Sequence, residues 1–333
     1  MKPARYNNNR SMAARLYPAL QLPPEMVDLR HLQSRDLEPL LEEETAAWSD
    51  ELDWDFAKSA DLVRRFIDMR ALNGAALMED GEAIGYAYYV VEDNKALIGD
   101  LYVRRSARTA ERENALLERA LEGIAANAAV HRVEAQIMML HRAAVRAVPG
   151  HAAAYERNFM RVEMGNADLA DGRVRRLCYI EKWSGLYQDA AAHLIAAAYA
   201  GHVDSGINDQ YRTAAGARRF LHNIVNYPGC GQFCTLASYA AFEAASGRLC
   251  GISLASMVSE GCGHITQICV SPAARGTGIG HELLRQSLRS LAATPCRAVT
   301  LTVTASNHDA IRLYERMGFH TVKQFSAFVW EGR

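Results

Sequence analysis

Residues 275–280, Arg275-Gly276-Thr277-Gly278-Ile279-Gly280, separate a strand pattern from a helix pattern. The apolar run before them contains Ile265, Ile268 and Val270, and the segment after them carries leucines on one helical face, at Leu283, Leu284, Leu288 and Leu291. Glycines at such a junction let the backbone approach a ligand, and the free N–H groups of a first helical turn favour a phosphate or pyrophosphate. The pattern predicts an anion-binding turn, with a plain flexible turn as the alternative.

Two common phosphate-binding folds do not fit this turn. A P-loop ends in Gly-Lys-Ser/Thr, whereas His281 and Glu282 follow Gly280 here. A dinucleotide-binding fold needs an acidic residue at the end of the next strand, but the strand pattern at 299–304 runs into Ala-Ser-Asn. About fifty residues remain after the turn, which is too few to complete a doubly wound sheet.

A second motif follows that strand and has the form N-x-x-A-x-x-L-Y-x-x-x-G-F. Its members are Asn307, Ala310, Leu313, Tyr314, Gly318 and Phe319. Together with the pattern R-x-x-G-x-G about thirty residues upstream, this motif resembles the GCN5-related N-acetyltransferase (GNAT) superfamily. The resemblance extends over residues 186–333, and residues 27–182 are similar to a degenerate second copy.

The resemblance implies acetyl-CoA as the acetyl donor and no metal. It implies that the main chain of Ile268 and Val270 pairs with the pantetheine arm. It also implies that the backbone of residues 275–280 binds the pyrophosphate, with His281 at the start of the helix. Asn307 resembles the residue that hydrogen-bonds the pantetheine region, and its alternative role is to cap the helix that follows.

The resemblance also implies direct attack of an amine on the thioester in a ternary complex. Tyr314 matches the residue that protonates the departing thiolate. A phenol is protonated at neutral pH, so it can donate this proton. The alternative role of Tyr314 is a core aromatic residue. A base must accept the amine proton, and the candidate is His264, with Glu260 close by. The alternative for His264 is a surface histidine at a strand end. A main-chain N–H near a strand bulge would stabilise the oxyanion.

The first half of the chain repeats the strand, turn and helix 167 residues earlier, at Ile98, Leu101 and Val103 and then at Leu116, Leu117, Leu121 and Ile124. A further echo relates Tyr155-Glu156-Arg157 to Tyr314-Glu315-Arg316 at a shorter offset. We therefore expect an α/β fold with two tandem domains, each a mostly antiparallel sheet flanked by helices. Their predicted limits are an arm at 1–27, a degenerate domain at 28–183 and a catalytic domain at 184–333; two unrelated α/β domains are the alternative.

The first copy lacks the glycine turn. The same offset aligns Thr109 with Gly276, and it aligns Glu111 and Glu113 with the other two glycines. Two carboxylates near bound phosphates would repel them. We therefore predict that the first domain does not bind acetyl-CoA and instead packs against the second or shapes the substrate cleft.

Composition limits the other classes. The chain has 333 residues, half of them hydrophobic, and its net charge of -1 gives no sign of nucleic-acid or membrane binding. The polar start has no apolar signal region, and the apolar run near 190–200 is too short to span a bilayer, so we expect a cytoplasmic protein. The expected assembly is a monomer or a homodimer. Seven cysteines without a C-x-x-C pair suggest neither a disulfide framework nor a zinc site.

The expected function is therefore transfer of an acetyl group from acetyl-CoA to the primary amine of a small molecule. A protein or peptide N-acetyltransferase and a noncatalytic acyl-CoA-binding module are the alternatives. The acceptor site is expected in the loop at 204–211 and the last strands at 320–330, where Asp204 and Asp209 either pair with a cationic acceptor or cap a helix.

Overall fold

A computed structural model describes residues 24–141, 152–171, 174, 178–227 and 229–331. Most of the proposed arm at 1–27 therefore lies outside the described residues. None of the helices in these ranges is long and apolar enough to cross a membrane.

The described residues of the first half form nine α-helices and β-strands. They are β1 (Glu25–Asp28), α1 (Ser34–Leu52), α2 (Ala57–Asp68), β2 (Asn73–Glu79), β3 (Glu82–Glu92), β4 (Lys95–Val103), α3 (Ala110–Ala125), β5 (Arg132–Gln136) and β6 (Ala153–Glu163).

The second half follows the same plan with further short elements. Its described helices and strands are β7 (Cys178–Lys182), α4 (Gln188–Tyr199), α5 (Asp204–Ile207), α6 (Ala214–Asn226), β8 (Gln232–Phe233), β9 (Tyr239–Glu243), β10 (Leu249–Ser259), β11 (Cys262–Val270), α7 (Ile279–Ala292), β12 (Ala298–Thr304), α8 (His308–Arg316) and β13 (His320–Glu331).

The described strands form one sheet of 13 strands. Its order is β1-β2-β3-β4-β5-β13-β6-β12-β11-β10-β9-β7, and β8 pairs with β10. Pairing is antiparallel except between β4 and β5 and between β11 and β12. The prediction of a mixed α/β fold with a mostly antiparallel sheet and flanking helices is confirmed, and the sheets of the two halves join into one.

The two halves exchange strands at the centre of this sheet. Strand β6 of the first half pairs with β12 along its length, from Glu163 opposite Ala298 to Arg157 opposite Thr304. Strand β13 of the second half pairs with β5 on one side and with β6 on the other. The division at residue 183 stays a prediction, and segments from each side of it complete the sheet of the other.

The sequence echo between Tyr155-Glu156-Arg157 and Tyr314-Glu315-Arg316 is wrong as a structural equivalence. The first triplet lies in strand β6, and the second lies in helix α8. The residues after the first triplet explain this difference, because Phe159, Met160 and Val162 are fully buried within the sheet between β12 and β13. Strand pairing across the two halves therefore overrides the local similarity.

A buried pair of carboxyl groups lies in the core of the first half. Glu44 on α1 accepts hydrogen bonds from the Tyr86 hydroxyl at 2.7 Å and from Trp48 Nε1 at 3.4 Å. Burial, with the nearby Asp100 carboxylate, raises the pKa of Glu44 well above its usual value. Burial also raises the pKa of Asp100 to about 6. The folded protein therefore retains a proton on Glu44 that the unfolded chain has released at neutral pH.

This pair predicts that stability falls as the pH rises. An acid whose pKa is raised on folding contributes stability that is complete below its unfolded pKa and is lost as the pH rises through its folded value. The expected loss in the free energy of unfolding between pH 4 and pH 8 is on the order of 2 kcal/mol. Urea titration of Glu44→Gln, which keeps an acceptor for Tyr86, should give a flatter pH profile and a more stable protein at pH 8.

The control is Glu42→Gln, because Glu42 lies on the exposed side of the same helix. Its pH profile should match that of the wild type. Equal pH profiles for the wild type and Glu44→Gln would contradict this account of the buried pair.

Candidate active site

The second half of the sheet opens at the ends of β11 and β12. Their parallel pairing runs from Cys262–Ala298 to Ile265–Leu301 and then stops. On the other edge of β11, a register shift against β10 marks a bulge between Leu254 and Ala255. Beyond that point, β11 presents main-chain groups that are not paired with β12. The strand bulge that the resemblance implies is therefore present, and β11 separates from β12 beyond it.

A cleft of about 640 Å³ lies at this opening, and we call it the glycine-loop cleft. It brings together most of the residues predicted to bind the cofactor, and with them the proposed acid Tyr314. The cofactor-binding residues are Ile268, Val270, Arg275, Gly276, Gly278, Ile279, Gly280, His281 and Asn307. Thr277 does not line the cleft, because its hydroxyl donates within the turn to the carbonyl of Ala274 at 2.6 Å. The guanidinium of Arg275 donates to the carbonyl of Ala198 and holds the turn against α4.

The glycine turn leaves the start of α7 open. Gly276 and Gly278 have φ values of 72° and 91°, which side chains adopt only with strain. Gly278 is the N-cap of α7 and supplies no side-chain hydrogen bond to the first turn. The N–H groups of that turn, with the positive end of the helix dipole, therefore form an anion-binding site.

The corresponding helix of the first half is closed by its own side chains. Thr109 is the N-cap of α3 and accepts a hydrogen bond from the N–H of Arg112. Glu113 is buried, and each of its carboxylate oxygens lies 3.2 Å from the N–H of His141. Glu111 is exposed to solvent. This contrast supports the prediction that the first copy has no phosphate loop.

A second cavity, of about 360 Å³, adjoins the first, and we call it the aromatic pocket. The two cavities share Tyr199, Ile268, Asn307, Ala310 and Tyr314. Its walls come from both halves of the chain, with Trp48, Trp54 and Phe56 from the first and Tyr199, Tyr211 and Phe220 from the second. The pocket therefore exists only where the halves meet.

Tyr314 lies where the two cavities join. It is 6% exposed, on helix α8. Burial, and then the negative charge of Asp204, raise the pKa of the Tyr314 hydroxyl. The phenol is therefore protonated throughout the neutral range and can act only as a proton donor there.

Asn307 performs the capping role that was its alternative. Its Oδ1 accepts a hydrogen bond from the N–H of Ala310 at 3.3 Å. Its Nδ2 lies 3.4 Å from Nε2 of His202, at the edge of the glycine-loop cleft. The side-chain amide of Asn307 thus caps the first turn of α8 and also lines the cleft.

His264 is buried, so its alternative role as a surface histidine is wrong. Its ring stacks on Phe159 and meets Trp54 edge-on, and burial lowers its pKa to about 4. Nδ1 lies 2.8 Å from the hydroxyl of Thr300, which itself donates to the carbonyl of Gly263. The hydroxyl must therefore accept from Nδ1–H, so we assign the lone pair to Nε2. Glu260 is exposed and lines neither cavity.

The two aspartates of the predicted acceptor loop have different surroundings. Asp204 lines the aromatic pocket and accepts a hydrogen bond from the hydroxyl of Thr304. Asp209 lies instead 2.6 Å from Nζ of Lys95, in an ion pair between the halves. Of these two aspartates, Asp204 lines the aromatic pocket and Asp209 does not.

Comparisons with known proteins agree with this geometry. Residues 208–319 match the model of the Acetyltransferase (GNAT) family. A mycothiol acetyltransferase of Mycobacterium sp. (strain JLS) is 35% identical over 85 residues, which cover 24% of this chain and 28% of that protein.

Two solved structures share the fold over nearly the whole chain. A GCN5-related N-acetyltransferase from Sphaerobacter thermophilus has a TM-score of 0.69 and 19% identity, and the match covers 93% of this chain and 96% of the other. A tandem GNAT protein from the clavulanic acid biosynthesis pathway has a TM-score of 0.56 and 16% identity, with 93% and 98% covered. Residues 208–319 belong to the GNAT family, and the described chain shares the fold of the two solved GNAT proteins. The curated relative is matched over less than a third of its length, so its activity does not transfer with the fold.

The sequence did not reveal every residue of this GNAT site. The first-half aromatic residues Trp48, Trp54 and Phe56 lie far from the motifs in sequence, and no local pattern connects them to the pocket. Arg157 also lines the pocket, but its position was predicted wrongly, by analogy with Arg316 in helix α8. An alternation of apolar residues after Arg157 was the signal that could have identified β6.

In the described ranges, no group of three metal-ligating side chains is present.

The turn geometry predicts opposite effects for two glycines. Gly278→Ala should lower the free energy of unfolding by about 1–2 kcal/mol, because a side chain is strained at positive φ. Gly280→Ala is the matched control within the first turn of α7. Its new methyl group would lie 3.5 Å from Val270 Cγ2, an ordinary contact. Urea denaturation should find Gly280→Ala as stable as the wild type or more stable. Equal losses in both variants would contradict this description of the turn.

Proposed function

We propose that this GNAT protein transfers the acetyl group of acetyl-CoA to the primary amine of a small molecule, by direct attack in a ternary complex. The observation that carries the proposal is the position of Tyr314, which lines both the glycine-loop cleft and the aromatic pocket. A donor in the first cavity and an acceptor in the second would meet at its hydroxyl group.

The residues of the glycine-loop cleft fit acetyl-CoA. The open N–H groups at Gly278, Ile279 and Gly280 suit the pyrophosphate, with Arg275 and His281 beside them. The edge of β11 around Ile268 and Val270 suits an extended arm with amide groups, because its pairing with β12 has ended. Bound acetyl-CoA supplies the thioester whose carbonyl carbon the amine attacks.

Tyr314 is proposed as the general acid. Attack forms a nitrogen–carbon bond, and the carbon–sulfur bond then breaks, leaving the electron pair on sulfur. The Tyr314 hydroxyl donates its proton to that thiolate, since its raised pKa keeps it protonated until charge develops. A main-chain N–H at the bulge of β11 would stabilise the oxyanion.

His264 remains the proposed acceptor of the amine proton. Its Nε2 lone pair is available at neutral pH, because the pKa of the ring is about 4. Such a weak base cannot deprotonate a free ammonium group efficiently. It can accept the proton after attack begins, because the nitrogen becomes more acidic as its bond to carbon forms. The acceptor must therefore enter as the neutral amine.

The size of the aromatic pocket favours a small acceptor over a protein. Its volume of about 360 Å³ lies within the range of small-molecule sites. Residues of both halves of the chain form its walls. A protein or peptide N-acetyltransferase and a noncatalytic acyl-CoA-binding module remain alternatives for the test that follows.

Tyr314→Phe tests the proposed chemistry. We expect kcat for amine-dependent release of CoA thiol to fall by about 10²- to 10⁴-fold, while the Kd for acetyl-CoA changes little. The matched control is Tyr211→Phe, which removes a hydroxyl that donates to Gln267 in the same pocket. The assay is thiol release over a panel of amines, with acetyl-CoA binding measured by calorimetry.

Wild-type turnover in Tyr314→Phe would contradict the role of Tyr314 as the acid. Acetyl-CoA binding without thiol release for any amine would favour the noncatalytic module instead. Acetylation of peptides but not of small amines would favour the protein N-acetyltransferase.

A further inference from the structure

Two charged side chains line the aromatic pocket among the described residues, and they lie next to each other. Arg157 comes from the exchanged strand β6, and Asp204 comes from α5. Nη1 of Arg157 lies 3.5 Å from Oδ1 of Asp204. This separation is longer than a normal N–H···O hydrogen bond.

Arg157 keeps unused hydrogen-bonding capacity in a buried place. Its side chain is 13% exposed, and its Nε is buried without a hydrogen-bond partner in the described part of the chain. A guanidinium has five N–H donors, and leaving them unpaired away from water is costly. By contrast, Arg161 on the same strand is paired: its Nε lies 2.7 Å from Glu163, and its Nη1 lies 2.9 Å from Asp53.

Asp204 pairs with Arg157 only loosely, because its Oδ1 already accepts a hydrogen bond from the hydroxyl of Thr304. Its Oδ2 lies 3.7 Å from Nδ1 of His202, which is too far for a hydrogen bond. Asp204 is also close enough to Tyr314 for its charge to raise the pKa of that phenol. The pocket therefore presents an incompletely paired cation and, beside it, an anion on the side of the proposed acid.

We propose that the acceptor is an α-amino acid with an aromatic or large apolar side chain, and that Arg157 binds its carboxylate. This inference rests on the proposed function. The guanidinium fork matches the two oxygens of a carboxylate. The amino group of an α-amino acid is one carbon away from its carboxylate, so it falls beside Asp204 and Tyr314. A phosphate is a poorer fit, because Asp204 would repel its second negative charge.

The rest of the pocket suits the third substituent of such an acceptor. Trp54, Phe56 and Phe220 provide aromatic surface, and neutral His264 adds no charge. Apolar side chains gain free energy when they leave water for such a wall. The pocket thus selects for a carboxylate, an adjacent amine and an apolar side chain together.

Three probes that share one side chain test the proposal on the wild-type chain. They are L-phenylalanine, L-phenylalanine amide and phenethylamine, each titrated by calorimetry into the protein saturated with CoA. We expect L-phenylalanine to bind roughly ten- to a hundred-fold more tightly than the other two, the range typical of hydrogen bonds to a charged group. The same order should appear in KM when acetyl-CoA replaces CoA.

Variants then assign this preference to Arg157. Arg157→Met should erase the advantage of L-phenylalanine over phenethylamine, and Arg157→Lys should keep part of it. Arg161→Met is the matched control, because it removes an arginine of the same strand that lies outside the pocket. It should lower stability without changing the order of the probes.

Equal affinity of the wild type for all three probes would overturn the proposal without relying on any variant. Retention of the carboxylate preference in Arg157→Met would also overturn it. If acetyl-CoA binds but no apolar amino acid binds or is acetylated, the acceptor assignment fails and the proposed function stands. If acetyl-CoA itself does not bind, the proposed function fails.

Discussion

The antiparallel pairing of β6 with β12 is the interaction on which the rest of this structure depends. It places a strand of the first half inside the sheet of the second, and it carries Arg157 to a position opposite Thr304. Successive side chains of a strand point to opposite faces, so a shift of one residue would turn Arg157 away from the pocket. The same pairing leaves β13 to complete the first half beside β5. Neither half can therefore close its sheet without the other.

The two halves share a framework but differ at one helix start. In both, a parallel pair of strands separates after a few residues, beyond Ile98 in the first half and Ile265 in the second. In the first half, Thr109 caps the helix that follows, whereas Gly278 leaves the equivalent helix open. A capped helix start offers an anion fewer free N–H groups, which supports a single donor site per chain. The first half instead contributes Trp48, Trp54 and Phe56 to the walls of the aromatic pocket.

Much of the glycine-loop cleft could be predicted from the sequence because its signals are local. The glycine turn and the motif that begins at Asn307 lie within a short segment, and most of the turn and several residues of the motif line this cleft. The aromatic pocket depends instead on contacts between distant parts of the chain. The burial of His264 requires Trp54 and Phe159 from the other half, and no periodicity around His264 reports them. Likewise, Arg157 could not be assigned before the strand exchange was known.

The central claim is that one open helix start, at α7, binds acetyl-CoA, while the first half shapes the acceptor pocket. Calorimetric titration of acetyl-CoA into the full chain tests it most directly. The account predicts one molecule bound per chain, and it predicts that Gly278→Glu abolishes binding because the new side chain is strained and brings a carboxylate to the phosphate site. Two molecules per chain, or one that persists in a folded Gly278→Glu variant, would contradict it.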